Sequence, residues 1–247
     1  MAIPALEFCQ ALLEEAKEAH PFLHHPLYHL IYQGKLSKIE LREIIKQQGC
    51  FYLDTLRHAA WKIISVGGYT PTLEDLERQR ALIPLLVSEG GEDMVGGKTT
   101  AHAFLFMRLA ESLGVSKEEL LSTPYLPTTV IEKDELFLLQ KSSILEALCG
   151  GNIATESIHS DHCHKMAVAL ETHYGIHPKD LEFYYVHVEV ETDHENRAVQ
   201  LLEKLAVTDE EQSRGRLALR RAITARQIFA DGAYQAFVGR AKGADNF

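Results

Sequence analysis

Apolar residues recur every three to four positions along most of the chain, and no segment shows the strict alternation of a half-buried strand. Clusters of Gly, Pro and short polar residues separate these periodic segments. The pattern predicts helices over about residues 4–20, 26–33, 38–66, 71–89, 98–114, 128–149, 152–174, 178–206 and 208–240. We expect an all-α fold in which residues 1–247 form a single-domain bundle of about seven to nine helices, because no linker or repeat divides the chain.

Local signals predict several boundaries of these helices. Ser116-Lys-Glu-Glu is a capping signature that opens a short helix. Pro84 is expected to kink the helix over 71–89, because proline removes a backbone donor inside a helix. The stretch 89–97 contains four glycines and is predicted to be a loop.

The run His187-Val-Glu-Val-Glu-Thr-Asp-His carries the strongest chemical signal. Glu191 and His194 follow His187 by four and seven positions, which places the three side chains on one stripe of a helix. Phe183 and Val190 are apolar neighbours of this stripe, so it is expected to face inward. Two imidazoles and a carboxylate suit a transition metal, and burying them without partners is costly. The spacing therefore indicates a metalloprotein.

Further ligands are expected on other helices, because helical bundles build metal sites from inward-facing acids and histidines. Glu156 lies among small and apolar residues in GGNIATESI, with a solvated acid as the alternative. His102 lies on the apolar helix HAFLFMRLAESLG, with a backbone-bonded core histidine as the alternative. An acid upstream of His102 is also expected. Glu89, Glu92 and Asp93 qualify, and Glu92 is our choice.

A second cluster, His159-Ser-Asp-His162-Cys-His164, contains ligands of the type that zinc uses. Adjacent positions on a helix point in different directions, so these side chains cannot all reach one ion. A polar helix face is therefore the preferred interpretation. The same interpretation applies to the arginines of the last helix, Arg220, Arg221 and Arg226.

Composition narrows the class of partner. The formal net charge of −10 disfavours nucleic acid and membrane surfaces. No apolar run approaches the roughly 20 residues of a membrane span, and the acidic N-terminal segment is not expected to be a signal peptide. The four cysteines are scattered without a CxxC pair, which favours buried thiols in a reducing cytoplasm over a disulfide framework.

Four segments together carry a family resemblance. They are the N-terminal region with HPLY and the helix start GKLS, the helix HAFLFMRLAESLGV, the segment NIATES followed by THYGI, and HVEVETDH, which fits the motif H-x3-[DE]-x2-H. They resemble the haem-oxygenase-like superfamily, and more narrowly its di-iron oxidases and oxygenases, relatives of pyrroloquinoline-quinone synthase and thiaminase-II. The resemblance covers about residues 15–200 and implies a haem-oxygenase-like helical bundle.

The resemblance implies metal ligands residue by residue. His102 matches the family's histidine in the third core helix, and Glu156 matches its bridging carboxylate. His187, Glu191 and His194 match the terminal His-acid-His motif, although most members have Asp where this chain has Glu191.

The chain departs from the family pattern at the first carboxylate. That ligand usually lies within two helical turns before the histidine, where this chain has Val95, Lys98 and Thr99. Either Glu92 reaches the site from the loop, or the site is asymmetric and one iron is weakly held.

The resemblance implies an O₂-dependent non-haem di-iron enzyme that holds two Fe(II)/Fe(III) ions and uses O₂ as co-substrate. The implied substrate is a small amine, amino acid or fatty acid of a natural-product pathway, changed by N-oxygenation, C–H abstraction or C–C cleavage. An external electron donor and a homodimer are compatible with this class. The helix over 38–66 offers Tyr52, Arg57 and Lys62 for substrate binding, with a surface position as the alternative for each cation.

Two alternatives stay open. One is a metal-free or zinc-dependent hydrolase or ring-modifying enzyme of the thiaminase-II or quinone-synthase type. Its nucleophile would be Cys149, which precedes Gly-Gly and lacks that family's aromatic surroundings. The other is a non-catalytic interaction protein on the same fold. Iron is preferred because five of the six expected ligands occur with family spacing.

Overall fold

The structure is a computed structural model of the chain. It describes residues 2–67, 70–93, 97, 98 and 100–239, and within these ranges the side chains of residues 92, 93, 97, 98, 156, 157 and 189–197 are not described. Helices form nearly all of the secondary structure in these ranges, so the predicted all-α fold is confirmed. None of the described helices is long and apolar enough to cross a membrane.

Three helices open the chain: α1 (Ala5–Ala19), α2 (Pro21–His24) and α3 (Pro26–Tyr32). A histidine precedes each of the two short helices. Nδ1 of His20 accepts a hydrogen bond from Phe22 N at 3.2 Å, and Nδ1 of His25 accepts one from Leu27 N at 3.0 Å. Both side chains therefore cap a helix start and satisfy a backbone N–H that has no partner inside the helix.

The prediction of one continuous helix over 38–66 is wrong. The segment forms α4 (Lys38–Tyr52) and α5 (Thr55–Ile64). The chain turns at Asp54, whose backbone N donates to Phe51 O at 2.9 Å. The Asp54 carboxylate pairs with Arg57 Nε at 3.1 Å and with Lys133 Nζ at 3.4 Å. Two ion pairs thus surround a turn that contains neither Gly nor Pro.

Helix α6 (Leu73–Glu89) contains Pro84 and is followed by a short antiparallel hairpin. Its strands, β1 (Glu92–Asp93) and β2 (Gly97–Lys98), pair Glu92 with Lys98. Helix α7 (His102–Ser112) begins at His102, later than the predicted start at 98. The connection returns the chain so that the end of α6 lies beside the start of α7.

The middle of the described chain contains α8 (Lys117–Leu121), α9 (Pro127–Ser142), α10 (Ile144–Ala147) and α11 (Ser157–Tyr174). Ser116 Oγ accepts from Glu119 N at 3.0 Å, which confirms the predicted cap. The structure does not divide the segment 128–174 at residues 150–151, as predicted, but at other positions. Ser143 is extended, with φ −151° and ψ 165°, and a π-helix follows over Leu148–Glu156. Such π-helical segments are rare and often occur at functional sites.

The C-terminal part has a 3-10 turn (Pro178–Asp180), then α12 (Glu182–Leu205), α13 (Asp209–Ala233) and a π-helical turn (Tyr234–Val238). These match the predicted helices over 178–206 and 208–240 with shifted ends. The described residues form more helical segments than the seven to nine expected, because three of the long predicted helices are interrupted.

Helix α13 packs on α9 and on the π-helix, and α12 packs on α11. Gly150 permits the close approach of these elements. A Cβ on Gly150 would lie 2.8 Å from Leu139 Cδ1 and 3.3 Å from the Ala218 carbonyl oxygen. The π-helix is therefore held inside the bundle, where its glycines reach the cavity described below.

Candidate metal and substrate site

Three side chains of the types that bind metals, one carboxylate and two imidazoles, come from three helices and lie close together inside the bundle. Glu89 ends α6, His102 begins α7 and His187 lies on α12. Glu89 Oε2 is 3.1 Å from His102 Nδ1, and the ring centroids of His102 and His187 are 4.5 Å apart. Both histidines are buried, and the Glu89 side chain is 20% exposed. The hairpin between α6 and α7 brings the carboxylate to the histidine.

A backbone contact sets the orientation of His187. Its Nδ1 donates to the carbonyl oxygen of Phe183, one turn earlier on α12, at 2.6 Å. A carbonyl oxygen only accepts hydrogen bonds, so Nδ1 carries a proton, and in the neutral ring the lone pair lies on Nε2. Histidines that bind a metal through one ring nitrogen typically donate a hydrogen bond from the other, as Nδ1 of His187 does here.

The carboxyl group of Glu89 is held in its charged form. Burial alone would raise its pKa, but the charge and hydrogen bond of His102, together with His187, outweigh this effect and lower the pKa to about 2. The carboxylate is therefore ionised at neutral pH and can act as an anionic donor.

The donor chemistry fits iron, which binds mixed sets of carboxylate and imidazole. Among the described side chains, no group of three or more His, Cys, Asp or Glu residues is arranged so that it could hold a metal ion by itself. The structure brings together His102 and His187 of the predicted ligands. The side chains of the other four lie outside the described residues, and those assignments stay predictions: Glu92, Glu156, Glu191 and His194.

A cavity adjoins these residues, and Glu89 and His187 form part of its wall. Its empty volume is about 710 Å³ with the solvent at its mouth included. Of the predicted substrate residues, Tyr52 and Lys62 line it. Arg57 does not: its side chain is 64% exposed and pairs with Asp54, because it lies on the outer face of α5.

The cavity also contains residues that the sequence analysis does not select. His159 is buried, lines the cavity, and its ring lies 4.9 Å from that of His187. Interpreting 159–164 as a polar face is wrong for His159 and for buried His162, and right for exposed His164. The three-residue spacing of His159 and His162, which puts both on one face, is the signal that could identify them.

Arg226 is another residue whose interpretation requires correction. It is buried and lines the cavity, and its Nη1 donates to Glu132 Oε1 at 2.7 Å. Its guanidinium lies 4.4 Å from the Phe51 ring centroid. Burial raises the pKa of Glu132 to about 7, and the charge of Arg226 only partly opposes this. Arg220 and Arg221 do lie on an exposed face, as predicted.

The cysteines do not form a nucleophilic site. Cys149 is fully buried in the π-helix, and its Sγ would lie 2.9 Å from a Cβ on Gly215 of α13. Burial raises the pKa of this thiol far above its usual range. None of the described residues that line the cavity is a cysteine. A thiolate mechanism like the one considered for Cys149 therefore has no support in this geometry.

Comparison with protein families identifies the class to which this fold belongs. A family model described as an iron-containing redox enzyme of the haem-oxygenase type matches residues 50–227, most of the chain. The chain therefore belongs to this haem-oxygenase-like family. Among curated proteins there is no match.

Solved structures share the fold. A CADD-like protein of unknown function from Nostoc punctiforme has a TM-score of 0.74 at 18% identity, over 94% of this chain and 97% of that one. A TenA homologue from Pseudomonas syringae has a TM-score of 0.71 at 15% identity, over 92% and 93%. A putative TenA-like thiaminase from Sulfolobus solfataricus has a TM-score of 0.59 at 12% identity, over 96% and 98%. At these identities the likeness establishes the fold alone.

Proposed function

We propose that this protein is an O₂-dependent non-haem di-iron oxidoreductase. The observation that carries the proposal is the convergence of Glu89, His102 and His187 beside a cavity whose wall includes Glu89 and His187. Membership of a family of iron-containing redox enzymes supports the choice of metal. The buried carboxylate and imidazoles supply donors that iron accepts.

We infer that Glu89 takes the role that the sequence analysis gives to Glu92, because its carboxylate already contacts His102. In this proposal Glu156, Glu191 and His194 complete the ligand set. When bound, an iron pair supplies the redox chemistry by which O₂ is reduced and a substrate is oxidised. The substrate is a small amine, amino acid or fatty acid, and the reaction is N-oxygenation, C–H abstraction or C–C cleavage.

The residues of the chain prepare the site for this chemistry. The Phe183 carbonyl oxygen holds the imidazole of His187 in one tautomer and one orientation. The rings of Tyr52, Phe106 and Phe183 pack against one another with centroids 4.9–5.2 Å apart. His102 and His187 are buried, and burial strengthens their electrostatic interactions.

Anaerobic loading with Fe(II) tests the proposal. The purified protein is expected to retain about two irons per chain, and His187→Ala to retain clearly less. His164→Ala is the matched control, because His164 is exposed on α11 and should bind iron as the wild type does. Negligible iron in wild type that is folded by circular dichroism would refute the proposal, as would metal-independent hydrolytic activity of the thiaminase type.

Two further variants decide between the candidate acids. Glu89→Ala is expected to lower the iron content, whereas Glu92→Ala should leave it near the wild-type value. If only Glu92→Ala loses iron, the di-iron site stands and Glu92 is its first carboxylate.

A further inference from the structure

Two polar side chains in the cavity wall have no hydrogen-bond partner among the described residues. His58, on α5, is 4% exposed, and neither ring nitrogen has a partner. Gln140, on α9, is 3% exposed, and its Oε1 has none. A buried donor or acceptor without a partner costs free energy, so folded proteins retain few of them. Two in one cavity indicate a ligand that supplies the missing bonds.

Another glutamine shows that burial alone does not leave such groups unpaired. Gln47, on α4, is also 3% exposed. Its Oε1 accepts from Leu126 N and Thr129 Oγ1, both at 2.9 Å, and its Nε2 donates to Pro124 O at 3.2 Å. Gln47 thus joins α4 to the start of α9. The oxygen of Gln140, in contrast, faces the cavity wall without such a partner among the described residues.

The same wall carries a positive charge. Lys62, one turn after His58 on α5, is buried, and its Nζ donates to Asn152 Oδ1 at 2.7 Å. A Cβ on Gly151 would lie 2.6 Å from Gln140 Nε2 and 3.5 Å from Lys62 Cε. The amide and the lysine side chain therefore meet over Gly151 of the π-helix.

These groups match the polar part of an α-amino acid. An imidazole N–H and a lysine ammonium donate to a carboxylate, and an amide oxygen accepts from an ammonium. A fatty acid offers no donor to the Gln140 oxygen. A simple amine offers no carboxylate to His58 and Lys62. Phe51 and Tyr52 line the same cavity and provide apolar contact for a side chain.

We propose that His58, Lys62 and Gln140 form a recognition site for the ammonium and carboxylate groups of a free α-amino acid. That this amino acid is the substrate oxidised at the neighbouring metal site rests on the proposed function. Its binding is expected not to require the metal, because none of His58, Lys62 and Gln140 is among the proposed metal ligands.

Isothermal titration calorimetry on the metal-free protein tests the site without turnover. The probes are the free proteinogenic L-amino acids and, for each one that binds, the matched acid without the amino group and the matched amine without the carboxylate. At least one amino acid is expected to bind, and both analogues to bind at least about tenfold more weakly. Equally tight binding of the deaminated acid or of hexanoate overturns the proposal. A lack of binding by every amino acid tested also overturns the proposal, because water would then satisfy the hydrogen bonds of these groups.

Substitutions test the assigned residues. His58→Leu and Gln140→Leu are expected to weaken amino-acid binding at least about tenfold without lowering the thermal unfolding midpoint, since each removes a buried group that has no partner. Gln47→Leu is the matched control. It should lower the midpoint, because three hydrogen bonds are lost, and should leave the affinity of the folded protein unchanged. Unchanged affinity in both cavity variants overturns the assignment.

Iron content separates this proposal from the proposed function. Both cavity variants should load as much iron as the wild type. Amino-acid binding without iron uptake would preserve the recognition site and refute the di-iron assignment. Iron uptake without amino-acid binding would refute the recognition site alone.

Discussion

His25 and His58 are both buried, but they interact with their surroundings in different ways. Nδ1 of His25 accepts from Leu27 N at 3.0 Å, and its Nε2 lies 3.1 Å from Asp231 Oδ1. Nδ1 thereby caps α3, and Nε2 connects α3 to α13. Neither nitrogen of His58 has a partner among the described residues, and its ring packs edge-on against Phe51, 5.0 Å away. One histidine belongs to the scaffold and the other to the cavity.

This contrast distinguishes residues that stabilise the fold from residues that are available for a ligand. Polar groups such as His25 and Gln47 complete their hydrogen bonds within the protein, so each contributes to stability. His58 and Gln140 have hydrogen-bonding groups without a partner among the described residues, so these groups contribute little to stability until a ligand binds. Substitutions in the two regions should therefore have opposite effects on stability and on binding.

The buried pair of Glu132 and Arg226 provides the strongest test on the scaffold side, and the largest expected effect. At pH 8, where both groups are ionised, Glu132→Leu should lower the free energy of unfolding by about 3–5 kcal/mol, because it leaves a buried guanidinium without its counter-charge. The double variant Glu132→Leu/Arg226→Met should recover most of this loss. Urea denaturation measures both. A loss below about 1 kcal/mol in the single variant would show that the pair behaves like a surface salt bridge.

The same pair should make stability depend on pH. Burial raises the pKa of Glu132 from 4.5 to about 7, so between these values the folded state binds a proton that the unfolded state has released. The contribution of Glu132 is therefore fully present below pH 4.5 and is lost as the pH rises through about 7, by at most about 3 kcal/mol. Glu132→Gln should remove this part of the slope. Parallel stability curves for wild type and Glu132→Gln would contradict the raised pKa.

A smaller effect is expected from the two histidines. His25→Leu should lower the free energy of unfolding by about 2 kcal/mol, because it removes a helix cap and the contact with Asp231. His58→Leu should change stability by less than about 0.5 kcal/mol or increase it, since no hydrogen bond is lost. Thermal or urea unfolding of the two variants gives the comparison directly. Equal losses would mean that His58 is a structural residue.

The fold class is predictable from the sequence because helical periodicity is a local property. The interruptions of the helices are not local. Asp54 at the turn pairs with Lys133, which is far away in the sequence, and Gly150 of the π-helix packs closely against α9 and α13. The turn at Asp54 contains neither the glycine nor the proline that usually ends a helix, and Gly150-Gly151 predicts a break but not a π-helix. Residues beside both interruptions line the cavity, so much of the cavity wall cannot be predicted from the sequence.

The candidate site, like the fold, can be predicted from the sequence only in part. His102 and His187 follow from motifs within single helices, and the structure places their rings together. The choice between Glu89 and Glu92 depends on the path of the hairpin, which spacing does not reveal. Gln140 has no distinguishing pattern, because its importance depends on which face of α9 adjoins the cavity. Residues whose role depends on tertiary contacts need the structure.

The smallest effect is expected at Arg57, the predicted substrate residue that lies outside the cavity. Its side chain is 64% exposed, and its contact with Asp54 is an ion pair between neighbouring turns. Exposed pairs of this kind contribute little, so Arg57→Ala should change the free energy of unfolding by no more than about 0.5 kcal/mol. Amino-acid affinity should stay within about twofold of wild type, whereas Lys62→Met, which removes the charge inside the cavity, should weaken binding at least about tenfold. Calorimetric titration of both variants measures this difference. If Arg57→Ala weakens binding as much as Lys62→Met, the carboxylate is recognised at the cavity mouth, and the wall formed by His58 and Gln140 is not its binding site.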